Sequence, residues 1–118
     1  MPGKAIPLYL VYPADALDHA LYRIVERCPP TTNDFLSYEA LGKKYNQREF
    51  FKGIGVSMHT TRKQSAAIAR RFRDVAAVAK LDLRDAPVVW ASTGGSGHIT
   101  VWAPAAILVD RVIQCEEL

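Results

Sequence analysis

No run of this chain approaches the ~18 to 20 uninterrupted apolar residues of a membrane-spanning helix, so a helical span is excluded and no membrane partner is expected. The opening stretch MPGKAIPLYLVYP is briefly apolar but broken by Pro7 and Pro13. It lacks the form of a secretory signal, so the expected compartment is the cytoplasm. Cysteine is scarce: Cys28 and Cys115 lie near opposite ends of the chain, with no CxxC and no histidine pair at metal spacing. That indicates neither a zinc site nor a disulfide framework, and two unpaired thiols in a reducing compartment are expected. Glycine is absent from the places where a phosphate loop needs it. The run Thr93-Gly94-Gly95-Ser96-Gly97 falls between two β-prone segments and opens no helix, which excludes P-loop and Rossmann sites. No serine stands in a nucleophile elbow, so a Ser-His-Asp triad is excluded. There is no internal repeat, low-complexity tract or linker, and 118 residues make one domain, 1–118.

What is present is a globular composition, 49% hydrophobic and 23% charged, with a net charge of +3. The charge is unevenly spread. Lys43, Lys44, Arg48, Lys52, Arg62, Lys63, Arg70, Arg71 and Arg73 make residues 43–73 a candidate basic face for nucleic acid or an acidic partner protein. The same stretch holds the most decided local signal. Ile54 to His59 reads as a strand, and Thr61 with Gln64 three residues later fits a capping box that starts a helix. Ser65, Ile68, Ala69 and Phe72 give that helix its packed side. Its polar entrance, Ser57, His59, Thr60 and Thr61, is where outward amides can hold an anion.

Before it, Leu8–Tyr12 is β-prone, and Pro13 suits the first turn of a helix over Ala14–Ala20. Leu21 to Val25 alternates as a strand. The prolines of Cys28-Pro29-Pro30-Thr31-Thr32-Asn33-Asp34 impose an extended connection. The run from Asp34 then reads as a brief strand or turn leading into helical turns that Ser37 caps and Gly42 ends, and 43–52 reads as a loop or short irregular helix. After it, Ala79, Leu81 and Leu83 alternate as a strand, Val88–Ser92 and His98–Trp102 pair as a hairpin, Pro104 begins a short helix, and Arg111–Cys115 closes as a strand. The tally is an α+β domain: a small mixed or antiparallel sheet of five to six strands with two to three helices.

Arg23 would be costly on the side of Leu21 and Val25 unless it met a carboxylate, a phosphate or a cavity, or lay in a sheet-face salt bridge. His59 and His98 stand at strand ends and offer acid/base or ligand-orienting groups if the fold joins them. Trp90 and Trp102 are set either to stack a flat ligand ring or to pack across the hairpin.

Taken in order, LYRIV (21–25), PPTTNDFLS (29–37), GIGVSMHTT with the alanine-containing helix (53–69) and GHITVWAP (97–104) resemble small bacterial proteins that carry these runs in this order. The order of elements also resembles the ADP-ribosyltransferase-like fold, including the RES-domain toxins. That resemblance implies NAD as cofactor or substrate, with NAD glycohydrolysis or ADP-ribosyl transfer as the chemistry, and an antitoxin as protein partner. It puts Arg23 at the first-strand cation, and Ser37 or Ser57 at the serine position, with His59 and Thr60 lining the nucleotide cleft. His98 falls where the family carries its catalytic glutamate. No acidic residue lies between Val88 and Pro104, so Glu39 is the expected substitute carboxylate.

Overall fold

The computed structural model describes residues 10–47, 50–71, 76–94 and 97–118. In chain order the elements are β1 (Tyr12–Pro13), β2 (Leu21–Val25), α1 (Tyr38–Leu41), α2 (Phe50–Gly53), β3 (Val56–His59), α3 (Arg62–Ala69), β4 (Ala77–Leu81), β5 (Val89–Ser92), β6 (His98–Trp102), α4 (Ala105–Val109) and β7 (Val112–Glu117). Tight 3-10 turns at Ala14–Ala16 and Thr32–Phe35 complete the set. Among the described residues seven strands form one antiparallel sheet, in the order β1-β5-β6-β3-β2-β4-β7, and four α-helices accompany it. The α+β class holds, with one or two strands and at least one helix more than the sequence suggested. The shortest elements are β1, two residues at the end of the β-prone stretch Leu8–Tyr12, of which Leu8 and Tyr9 lie outside the described residues, and α2, four residues that overlap the stretch read as a loop or short irregular helix.

Alternation sets the two faces of the sheet. Leu21 and Val25 of β2, Val56 and Met58 of β3, Leu81 of β4 and Ile99 and Val101 of β6 are buried on one side, in one cluster with Phe35 and Leu108. Against the other side lies α3, which contacts β2, β3 and β4. It buries Ser65, Ala66 and Ala69, small side chains that let the helix lie close. Its capping box forms as expected: Thr61 Oγ1 accepts from the Gln64 amide, and Gln64 Oε1 accepts from the Thr61 amide. Ser37 Oγ likewise accepts from the Ala40 amide, and Gly42 ends α1 at φ 70°.

Three local expectations change. In place of the helix expected over 14–20 there is a single 3-10 turn at Ala14–Ala16, which ends because Leu17 is already extended with ψ 125°. The strand expected from Ile54 begins at Val56. The expected strand over 79–83 runs from Ala77 to Leu81. Phe72 and Arg73, assigned to the central helix, and Arg48, assigned to the basic face, lie outside the described residues.

The cysteines overturn their expectation. Cys28 and Cys115 form a disulfide across 87 residues of sequence, with Cα atoms 5.7 Å apart. β4 pairs with β2 on one side and with β7 on the other, which carries the end of the chain back beside the segment that follows β2. No local spacing announces such a bond. Cys28 is held there a second time, its amide donating to Glu117 Oε1 at 3.0 Å.

Gly97 lies at φ 90°, and a Cβ there would stand 2.3 Å from Thr60 Oγ1 and 2.7 Å from Gln64 Oε1. Gly97→Ala is therefore expected to cost about 1 to 3 kcal/mol, read as a fall in the urea midpoint. An unchanged midpoint would show that the turn tolerates a side chain.

Candidate functional site

The sheet is unevenly joined. β2 and β4 share five residue pairs and β3 and β6 share four, but β2 and β3 meet at a single pair, Tyr22 opposite His59. Two half-sheets, β1-β5-β6-β3 and β2-β4-β7, therefore hang together at a seam. Arg23, one residue past that pair, stitches it. Its Nε donates to the Asp34 carbonyl at 2.6 Å and its Nη1 to the Ser57 carbonyl at 2.7 Å. Burial pulls its pKa down to about 10, opposed by the nearby charge of Asp34 and by Tyr38, and the guanidinium stays charged at neutral pH. Of the partners expected for this cation, the structure supplies backbone carbonyls in place of a salt bridge.

Asp34 is the residue the sequence reading passed over. Its carboxylate accepts from the Glu26 amide at 2.9 Å and the Thr31 amide at 2.8 Å. This closes a Thr31-to-Asp34 capping box that holds the Asp34 carbonyl in front of Arg23. The signal was in the sequence, as a threonine followed three residues later by an acid, inside a stretch where the prolines drew the attention.

On the α3 side, the register sets His59 directly opposite His98. Their rings meet edge to face with centroids 5.6 Å apart. His59 Nδ1 lies 3.1 Å from the buried Ser65 Oγ. His98 Nδ1 lies 2.9 Å from Thr93 Oγ1, which is 2.7 Å from the buried Thr100 Oγ1. Both histidines have lowered pKa values: His59 through burial, then the charges of His98 and Arg23, and His98 through burial, then the charge of Lys52. They are therefore neutral at pH 7.

That shift has a sign for stability. The unfolded chain takes up protons at the ordinary histidine pKa near ~6.5, while the folded state resists them to a lower pH. The unfolded state then binds more protons, so stability is full above that value and falls as pH drops below it toward the folded pKa values. Urea midpoints between pH 8 and 5 are expected to fall in this window, and His59→Gln with His98→Gln is expected to flatten the fall. A fall of the same size in the double variant would assign it to other groups.

The sequence candidates thus divide. The histidines converge, and His59 senses the charge of Arg23, although Arg23 leaves β2 on the Leu21 side and the rings face α3. Ser57 is exposed and contributes its backbone carbonyl. Ser37 is spent as a helix cap. Thr60 donates to Gln64 Oε1 at 3.1 Å. Glu39 is exposed on α1 and accepts the Tyr45 hydroxyl at 2.8 Å, an anchor for the loop after α1. The anion-holding entrance expected at α3 is filled from within, because Gln64 Oε1 takes the Thr60 and Thr61 hydroxyls and the Thr61 amide.

Trp102 Nε1 donates to the Phe51 carbonyl and Trp90 Nε1 to the Pro13 carbonyl, with the Tyr12 ring tilted 32° against Trp90 at a centroid distance of 4.9 Å. Both indoles thus take part in packing. On the basic face Arg62 is neutralised by a two-bond pair with Glu116, at 2.5 and 2.7 Å. Lys43 sits 5.8 Å over the Tyr38 ring. Among the described residues no cluster of His, Cys, Asp or Glu could hold a metal ion, and no helix is long and apolar enough to cross a membrane. Two open depressions lie away from the seam, one ringed by Asp15, Asp82, Arg84, Asp85 and Arg111, the other walled by Pro13, Pro87, Val89 and Trp102.

No protein-family model matches the chain, and neither the curated proteins nor the solved structures contain a match.

Proposed function

We propose that the protein binds NAD or a related nucleotide at the seam between its half-sheets, as an ADP-ribosyltransferase-like domain. The observation that carries this reading is the one-pair junction at Tyr22 and His59, which has a half-buried cation on one side and two neutral imidazoles on the other. Arg23 and Lys52 supply positive charge close to the two rings. The pyrophosphate suits the cationic side, because a guanidinium retains Nη2 for an oxygen even with Nε and Nη1 engaged.

Departure of nicotinamide leaves a positive charge that a carboxylate stabilises. His98 is neutral, and Glu39 is committed to Tyr45. Any NAD glycohydrolysis or ADP-ribosyl transfer, and with it a toxin role opposed by an antitoxin, would have to recruit Glu39 from that bond. The disulfide bears on where such a protein works. Bonds of this kind persist in oxidising compartments, which favours a location outside the reducing cytoplasm that unpaired thiols had implied.

The test is chemical-shift mapping of the labelled protein against NAD. Shifts centred on Tyr22, His59 and His98 are expected; shifts confined to the Trp102 depression, or none at millimolar NAD, would contradict the seam as the site. The competing reading, a module that binds nucleic acid through residues 43–73, requires binding that weakens steeply with salt, and the Arg62–Glu116 pair already removes one of its cations.

A further inference from the structure

The hydroxyls behind the two histidines leave only one consistent arrangement of protons. Thr100 is fully buried, and the partner of its hydroxyl is Thr93 Oγ1 at 2.7 Å. A buried O–H without an acceptor is costly, so Thr100 donates to Thr93. Thr93 must then send its own proton onward, and its other partner is His98 Nδ1 at 2.9 Å. Nδ1 is thereby the acceptor. The same reasoning holds across the ring pair: Ser65 is fully buried, and its hydroxyl meets His59 Nδ1 at 3.1 Å. A neutral imidazole carries one proton, and with Nδ1 accepting, that proton sits on Nε2.

We infer that Thr100, Thr93 and Ser65 are positioning residues that fix His98 and His59 as Nε2–H tautomers, so that the pair presents two hydrogen-bond donors to a ligand oxygen. The ligand half of this inference rests on the nucleotide reading above; the tautomer half does not. Two neighbouring N–H donors suit an oxygen acceptor such as a phosphate or carboxamide oxygen. They disfavour a metal ion, which needs the ring lone pair, and a general base, which needs the same lone pair for a substrate proton. Burial of both rings keeps them neutral, and the nearby cations Arg23 and Lys52 act in the same direction.

Long-range proton–nitrogen correlation spectra of the ligand-free, disulfide-intact protein at pH 7.5 read the tautomers directly. Nδ1 without a proton and Nε2 with one are expected for both rings. Thr93→Val keeps the shape but removes the relay, and is expected to release His98 to a mixture or to Nδ1–H; Thr93→Ser restores the wild-type pattern. Inorganic pyrophosphate and NAD, titrated by calorimetry, are expected to bind about tenfold more weakly to Thr93→Val and normally to Thr93→Ser. A proton on Nδ1 of either ring in the wild-type protein overturns the inference, as does an unchanged His98 tautomer in folded Thr93→Val. If the spectra show Nε2–H on both rings while neither ligand binds, the nucleotide reading and the ligand half fall together. If NAD binds but the tautomers are wrong, this inference falls alone.

Discussion

Replacing Cys28 and Cys115 together by serine is expected to lower the free energy of unfolding by about 4 to 5 kcal/mol. The size follows from the 87-residue separation of the two cysteines, because a cross-link over a long loop removes much of the freedom of the unfolded chain. Domains of this size are stable by only about 5 to 15 kcal/mol, so the double variant should sit near the edge of folding at 37 °C. The bond also bears on the site. It fastens the segment after β2, which leads within six residues to Asp34 and the carbonyl that Arg23 holds. Urea denaturation with and without a thiol reductant measures the effect, and a midpoint insensitive to reductant would contradict it.

Arg23→Met is expected to destabilise by about 3 to 6 kcal/mol, since hydrogen bonds to charged groups contribute roughly 1.5 to 3 kcal/mol each and two are lost. Methionine fills much of the space, but the Asp34 and Ser57 carbonyls lose their donors at the place where β2 and β3 share only one pair. Arg23→Lys should recover part of the loss at most, because an ammonium cannot reach two carbonyls with the fixed fork of a guanidinium. The unfolding free energies of the three proteins, measured together, test the ranking Arg, Lys, Met. Equal stability of the lysine and arginine forms would show that charge, and not the fork, closes the seam. Because Arg23 supports the fold in this way, its removal cannot by itself report on ligand binding, and the histidine side of the seam is the better place to probe function.

Most of what is local was readable from the residues. The Thr61 and Gln64 capping box, the Ser37 cap with Gly42, the alternation of Leu21 to Val25 and the β5–β6 hairpin each depend on neighbours within a few positions. Arg23 was legible as an anomaly, a cation on a buried side, although its partners were not. What stayed hidden depends on register between distant strands. His59 faces His98 because β3 pairs with β6 across some forty intervening positions, and the seam exists because β2 stops pairing with β3 after one residue. The disulfide is the extreme case. The contact that Glu39 makes is nearer in the chain but equally silent in the residue pattern: it accepts the hydroxyl of Tyr45, six residues along.

Calorimetric titration of the disulfide-intact protein with NAD, beside His59→Ala with His98→Ala checked for folding, bears most directly on the seam as a nucleotide site. The account predicts saturable heat for the wild-type chain, with affinity falling at least tenfold in the double variant. Absence of heat at millimolar NAD in the folded wild-type protein, or equal affinity in both, would contradict it.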